Sequence, residues 1–186
     1  MILTICIPTL PEPKSQDHLA NLMALLAPQL TDEVEVLTDA RGREVPTGTK
    51  RNSLYEKAKG EYVVSVDCDD FIEGNYVSEI LKALQSNPDC VTFEGWMTEN
   101  GGIKQDWTIK LGENYEARYP NGKQHIYRWP NHLAVMRKSI ATSVKFPDIW
   151  NGEDYAWSKQ IRDRGLLKTG VHIPIQLYHY IYLTNK

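Results

Sequence analysis

The sequence predicts an α/β domain with a mainly parallel central sheet flanked by helices, and a small antiparallel hairpin region in its second half. Three observations lead there. Short apolar, β-branched runs alternate with amphipathic helical segments through the first half, the order of a parallel sheet with crossover helices. The ends of three of those runs carry polar and acidic residues, which is where ligands bind in such sheets. After Glu99 the composition turns to Gly, Asn, Lys and aromatic residues around an Asn121-Gly122 hairpin signal.

Leu3–Pro8 is apolar with Thr4, Ile5 and Ile7 β-branched, so it reads as a buried strand, broken by Pro8, Pro11 and Pro13. Ser15 is placed to cap a helix reaching about Gln29, with Leu19, Leu22, Met23 and Leu26 at helical spacing. Val34–Thr38 is a second strand. Thr47 or Thr49 opens a second helix that ends at Gly60, with Leu54 and Ala58 inward. Tyr62–Val66 is a third strand. Asn75 caps a third helix whose apolar face is Val77, Ile80, Leu81 and Leu84, and Asn87-Pro88 stops it before the strand Cys90–Trp96. In the second half, a short helix is expected at Arg137–Ser143 and a longer one from Gly152 to Asp163. Leu167–Ile173 and Gln176–Tyr182 are strand-like. The chemistry is expected just after Pro8, Thr38 and Val66, at Thr9, Asp39 and Asp67–Asp70.

With 186 residues, 41% hydrophobic and 24% charged, the chain is expected to form one domain, 1–186, with a core of its own. A net charge of −3 gives no global pull toward nucleic acid or anionic membrane. No apolar run is long enough to span a bilayer, and Ile2–Ile7 reads as a strand, not a signal peptide. Cys6, Cys68 and Cys90 form neither a disulfide framework nor a zinc motif, so a reducing, cytoplasmic compartment is expected.

Four constellations carry possible chemistry. The carboxylates of Asp67-Cys68-Asp69-Asp70 repel one another on a tight turn unless a cation sits among them, and hard oxygen ligands favour Mg²⁺ or Mn²⁺. The alternative is a solvated turn with Asp70 capping a helix. Gly48-Thr49-Lys50-Arg51-Asn52, at a helix start, suits a phosphate-bearing ligand, or is a solvated basic turn. Asn151-Gly152-Glu153-Asp154 enters the helix of Trp157. Acids there are favoured by the helix dipole alone, and a carboxylate beside an aromatic wall can also serve as a general base. In Tyr178-His179-Tyr180 the imidazole is either packed in a strand or a nitrogen ligand to a metal held mainly by oxygen. His125, His132 and His172 have weaker cases. Between Trp96 and Trp129, Lys104, Lys110, Arg118, Lys123 and Arg128 alternate with aromatic residues, a pattern for stacking on sugars or bases, or a half-buried hairpin with solvated lysines.

Together these parts resemble the family 2 type of glycosyltransferase with the GT-A fold. The resemblance is carried by Ile5-Cys6-Ile7-Pro8-Thr9, the Asp39 strand end, Lys50-Arg51-Asn52, Gly60-Glu61-Tyr62-Val63, Asp67-Cys68-Asp69-Asp70 and Gly152-Glu153-Asp154. It covers Ile2 to about Ile161 and implies a nucleotide-binding half, 1–98, and an acceptor-binding half, 99–186. It implies that Thr9 and Asp39 line the nucleobase pocket, with Pro8, Lys50, Arg51 and Cys68 in the donor site. Asp67 would face the ribose, and Asp69 would ligate the metal, Mn²⁺ or Mg²⁺, with His179 as a further ligand. Asp154 of the Glu153-Asp154 pair would deprotonate the acceptor in an inverting displacement, with Trp129 and Trp150 as acceptor platforms.

The partners implied are a nucleotide-sugar, most simply a UDP-sugar, and an acceptor that is a glycan, a small molecule or a hydroxylated base in DNA. No stable membrane association is implied. Thr38-Asp39-Ala40-Arg41-Gly42 departs from the family's more acidic run, and the chain is short for the family, so acceptor-binding extensions are mostly missing. No membrane segment follows, which speaks against a processive polymer synthase. The rival readings are a nucleotidyltransferase acting on a sugar phosphate, and a non-catalytic nucleotide or glycan binder.

Overall fold

In the computed structural model, which describes residues 1–182, β1 (Leu3–Pro8) is buried along its whole length. It runs parallel to β2 (Val34–Asp39) on one side and β3 (Tyr62–Ser65) on the other. The period of two divides its side chains between two cores. Leu3, Ile5 and Ile7 join Leu22 and Leu26 of α1 (Pro13–Leu26) and Tyr76, Val77, Ile80 and Leu84 of α3 (Tyr76–Leu84). Cys6 joins Leu54, Tyr55 and Ala58, which lie on or just beyond α2 (Thr47–Lys57), and Trp157 and Ile161 of α5 (Glu153–Asp163).

The described strands form one sheet, ordered β2-β1-β3-β9-β5-β6-β8-β7, with β10 also on β5 and β4 on β10. β9 (Val135–Arg137) is antiparallel to both β3 and β5 (Cys90–Glu99), so β3 and β5 point the same way. β10 (Gly170–Tyr182) runs parallel to β5 along its full length, with bulges on either side of Gln176. Five strands, β2, β1, β3, β5 and β10, therefore share a direction and form the parallel frame. β6 (Gln105–Ile109) is antiparallel to β5 and parallel to β8 (His125–Arg128). β7 (Glu116–Arg118) closes the expected hairpin on β8. Asn121 and Gly122 both take positive φ, 54° and 75°, in its turn, a conformation that Asn and Gly tolerate and β-branched residues do not.

Several local expectations are corrected. Ser15 does not cap α1. The helix begins at Pro13, whose fixed φ and missing N–H suit a first turn, and the Ser15 hydroxyl meets Thr9 Oγ1 instead. Asn75 stands at the N-cap of α3 without a side-chain capping bond. The two C-terminal strand segments are one strand, β10, interrupted by the bulges on either side of Gln176. β4 (Phe71–Ile72), β6 and β9 were not expected. α4 (Lys138–Ala141) and α5 fall where helices were predicted.

Gly48 sets the distance between α2 and the segment leading to α5. A Cβ there would collide with the Pro147 carbonyl oxygen and crowd the Glu153 Cβ. Gly48→Ala is therefore expected to cost about 1–3 kcal/mol through forced displacement of that backbone. A urea unfolding curve should show a lower midpoint with an unchanged slope.

Candidate active site

Three strand ends deliver the site. At the end of β1, Thr9 donates its backbone N–H to Asp39 O (2.9 Å), and its hydroxyl meets Ser15 Oγ at 2.9 Å. Ser15 Oγ also lies 3.6 Å from Cys68 Sγ, so β1, α1 and the aspartate turn meet at one point beside Pro8. Asp39, at the end of β2, is gripped by Arg41, whose Nε donates to both carboxylate oxygens at 2.9 and 3.0 Å. Burial raises the Asp39 carboxyl, and the Arg41 bonds more than reverse this, holding it below the ordinary range. Asp39 is thus at the expected strand end, with an internal partner.

The Lys50-Arg51-Asn52 segment is neither a solvated turn nor an open phosphate cradle. Lys50 is 2% exposed and donates to the Thr9 carbonyl (2.7 Å) and the Arg41 carbonyl, fixing the chain beyond β1 and β2. Arg51 is 3% exposed. Its Nη2 donates to Asp67 Oδ1 (2.7 Å), its Nε to Glu153 Oε1 (3.1 Å) and its Nη1 to Ser65 Oγ. Asn52 makes a two-way bond with the Phe146 backbone, at 2.8 and 2.9 Å. Three consecutive residues on α2 thereby tie the strand ends to the segment before α5 through Asn52 and to the start of α5 through Arg51.

The turn after β3 divides its acids. Asp70 is buried: its carboxylate accepts from Tyr178 Oη and from the Ile181 N–H, both at 2.7 Å, so it binds the turn to β10. Burial, then the neighbouring Asp67 charge, pushes the Asp70 carboxyl well up. Asp67 lies between two basic groups, Arg51 and His132, whose Nε2 is 3.4 Å from Asp67 Oδ2. Burial works against its charge, yet Arg51 and then His132 hold the carboxyl far below the usual range. Asp69, on the same turn, is half-buried.

Across from this turn, α5 presents Glu153 and Asp154. Glu153 is buried against Arg51. The Asp154 side chain keeps 32% of its surface and sits 3.2 Å from His132 Nδ1. Burial raises its carboxyl, but His132 and Arg51 outweigh that and hold it well below the usual range. Trp157 is not a wall for the site. It is fully buried, stacked on Phe146 with ring centroids 4.4 Å apart, and its Nε1 donates to the Ala141 and Val144 carbonyls.

His132 was not expected here. Its carbonyl accepts from the Ser65 N–H at 3.0 Å, which pins it beside β3, and Asn131 Oδ1 turns the chain by accepting from the Leu133 N–H. The one usable signal was the Pro130-Asn131 turn before the apolar run Leu133–Met136, which places His132 at a strand entrance. Ser65 carries no sequence signal; Ser15 is expected as a helix cap and Tyr178 only as a neighbour of His179, and both meet the aspartate turn instead.

The structure does not bring His179 to the aspartates. Tyr178 faces the turn, and His179 alternates to the other face of β10. There it stacks between Trp96 and Phe71, at 5.0 and 6.0 Å, with Nε2 2.9 Å from Thr98 Oγ1. Trp129 is also inward: its Nε1 donates to Ser158 Oγ at 3.0 Å, and Arg162 lies 4.0 Å over its ring. It walls a cavity of about 260 Å³ with Ile161 and Leu167, at the far end of α5 from Asp154. Trp150 is 39% exposed, shortly before Glu153 and 6.0 Å from Lys50 Nζ, and so stands at the mouth of the site.

A parallel frame with an acidic turn at the end of a central strand, opposed by a carboxylate from a later helix, is the arrangement of GT-A glycosyltransferase folds. Residues 5–144 match the model of the family described as Glycosyl transferase family 2, and the chain belongs to that family. It is 28% identical over 149 residues to "Putative glycosyltransferase EpsH" of Bacillus subtilis (strain 168), covering 74% of this chain and 42% of that protein. The structure of S. aureus TarS 1–349 superposes with a TM-score of 0.68 at 14% identity, over 97% of this chain and 60% of that one. TarS 1–349 in complex with UDP-GlcNAc gives 0.67 at 14% identity, over 100% of this chain and 60% of that one. The chain spans less than two thirds of the length of these relatives, and the likeness to TarS establishes the fold.

Proposed function

We propose that the protein is an inverting, divalent-metal-dependent glycosyltransferase that moves a sugar from a UDP-sugar to a hydroxyl acceptor. The carrying observation is the placement of Asp154, a partly exposed carboxylate at the start of α5, opposite the Asp67–Asp70 turn and joined to it through His132. The UDP-GlcNAc complex of the structurally similar TarS supports the choice of donor.

In this reading Asp154 takes the proton of the acceptor hydroxyl. The oxygen then forms its bond to the anomeric carbon as the bond from that carbon to the diphosphate oxygen breaks, and one displacement inverts the centre. Thr9 and Asp39 border the base, Asp67 the ribose, and Trp150 the acceptor. Glu153 keeps Arg51 neutralised rather than reacting. Among the described residues no three His, Cys, Asp or Glu side chains gather as a metal cage. The donor set on the turn fits a hard cation held through one carboxylate, Asp69, plus the donor's own phosphates, as Mg²⁺ and Mn²⁺ prefer. Such a cation supplies charge stabilisation of the leaving diphosphate. The acceptor is a glycan, a small molecule or a hydroxylated base in DNA. No described helix is long and apolar enough to cross a membrane. The three free cysteines suit a reducing, cytoplasmic setting.

A panel of UDP-sugars incubated with Mn²⁺ and candidate acceptors, hydroxymethylated DNA included, is expected to release UDP and add one sugar mass to an acceptor. Asp69→Ala should abolish Mn²⁺-dependent UDP binding in calorimetry. Release of pyrophosphate would assign the chain to the nucleotidyltransferases, and wild-type Mn²⁺ dependence in Asp69→Ala would remove the metal role.

A further inference from the structure

The geometry points to His132 as a positioning residue that couples the donor-side carboxylate of Asp67 to Asp154 and fixes where the base stands. The inference rests on the reading of Asp154 as the base. Both ring nitrogens of His132 lie within ion-pair distance of a carboxylate, Nε2 at 3.4 Å from Asp67 and Nδ1 at 3.2 Å from Asp154. Neither is aligned for a directed hydrogen bond. The ring is buried, and its backbone is held to β3 through the Ser65 N–H, so the imidazole itself has a fixed seat. The carboxylates it joins come from different elements, the end of β3 and the start of α5.

Arg51 makes the parallel tie, Asp67 to Glu153, and the two ties differ in what they hold. Glu153 is buried and its carboxylate is spent on Arg51, whereas Asp154 keeps part of its surface open to an incoming acceptor. A carboxylate that must meet both a hydroxyl and the anomeric carbon gains most from being located relative to the donor. His132 supplies that reference, because its other nitrogen faces Asp67, which the proposed reading sets at the donor's ribose. Burial and the Arg51 charge disfavour a charged ring, and the two carboxylates overcome them, raising its proton affinity above the ordinary value. Whatever its charge, the ring stands between the two carboxylates, and shifting the reacting oxygen by an ångström typically costs on the order of 10²-fold in rate.

The test uses the full chain with UDP-GlcNAc and UDP-glucose as donors and water or the identified acceptor as nucleophile. His132→Gln, which keeps polarity without charge, is expected to lower kcat roughly 10–100-fold, with Mn²⁺–UDP affinity and donor KM within about threefold of wild type. In an Asp154→Asn background the same change should cost nothing further, because it acts through Asp154. Free imidazole should restore part of the activity of His132→Ala. Independently of any His132 variant or turnover, the ring ¹⁵N resonances of His132 should move both in Asp154→Asn and on addition of Mn²⁺–UDP.

A wild-type kcat in His132→Gln beside an inactive Asp154→Asn would overturn the coupling and leave the base assignment standing. Additive losses in the double variant, or ring resonances indifferent to both perturbations, would overturn it as well. A fully active Asp154→Asn would instead overturn the reading on which the inference rests.

Discussion

Arg51→Met is expected to lower stability by about 3–5 kcal/mol, because it strips the buried Glu153 carboxylate of its ion-pair partner and the partly buried Asp67 of one of its two. For a chain of this length that is a fall in Tm of roughly 6–20 °C. Arg51 is almost fully enclosed and holds Asp67, Glu153 and Ser65 at once. Arg51→Lys keeps the charge but loses the planar fork, and should recover only part of the loss. Arg51→Met combined with Glu153→Gln should recover more, since the buried charge left without its partner is then gone.

The pH dependence is a second signature of the same prediction. The folded-state Asp67 carboxyl lies below its unfolded value: burial alone would raise it, and Arg51 and His132 more than reverse that. Its stabilising contribution is therefore present above the unfolded value of about 4 and is lost as the pH falls through the folded one. In Arg51→Met, burial is opposed at Asp67 by His132 alone, so the carboxyl lies higher than in the wild type. Acidification toward pH 4 should then penalise the variant less than the wild type, so that the gap in Tm narrows. A gap that stays constant or widens would mean that Arg51 contributes through packing and not through charge.

What the sequence made legible follows from range. The strands and helices of the first half are written in local patterns: an uninterrupted apolar β1 sits between two parallel neighbours, and α3 carries its apolar face at helical spacing. The strand ends were legible for the same reason, since an acid directly after a buried β-branched run has few places to go. β9 was not legible, because its three residues are a strand only through β3 and β5 on either side. The seating of Arg51 is not legible, because a cation at a helix start looks the same whether it faces water or three protein partners. The difference lies in residues 14, 16 and 102 positions away along the chain. His132 has no local mark that separates it from His125 and His172, and its place depends wholly on the non-local seating of the segment before β9. Acidic residues at α5 suggested a base, but the division of labour between Glu153 and Asp154 needed the Arg51 and His132 contacts.

Asp154→Asn is expected to reduce kcat by about 10²–10⁴-fold while Mn²⁺–UDP binding and folding stay near wild type. The carboxylate is ionised at neutral pH, and its depressed proton affinity, to which burial is opposed and His132 and Arg51 contribute, keeps it so well into the acid range. It is therefore always in the form that accepts a proton, at some cost in basicity. The acid limb of kcat/KM should accordingly lie below the ordinary carboxylate range. Asparagine preserves shape and one acceptor oxygen, so the backbone at the start of α5 has little reason to move, but it cannot take the acceptor's proton. If Asp154 served only the helix dipole, the change would cost roughly 0.3–1 kcal/mol of stability and leave turnover intact. Glu153→Gln is the internal control with the opposite profile. Glu153 faces Arg51 in the interior, so its loss should weaken folding and reach kcat only indirectly. An inactive but stable Glu153→Gln beside an active Asp154→Asn would exchange their roles. Normal turnover in both would leave the inverting displacement without a base.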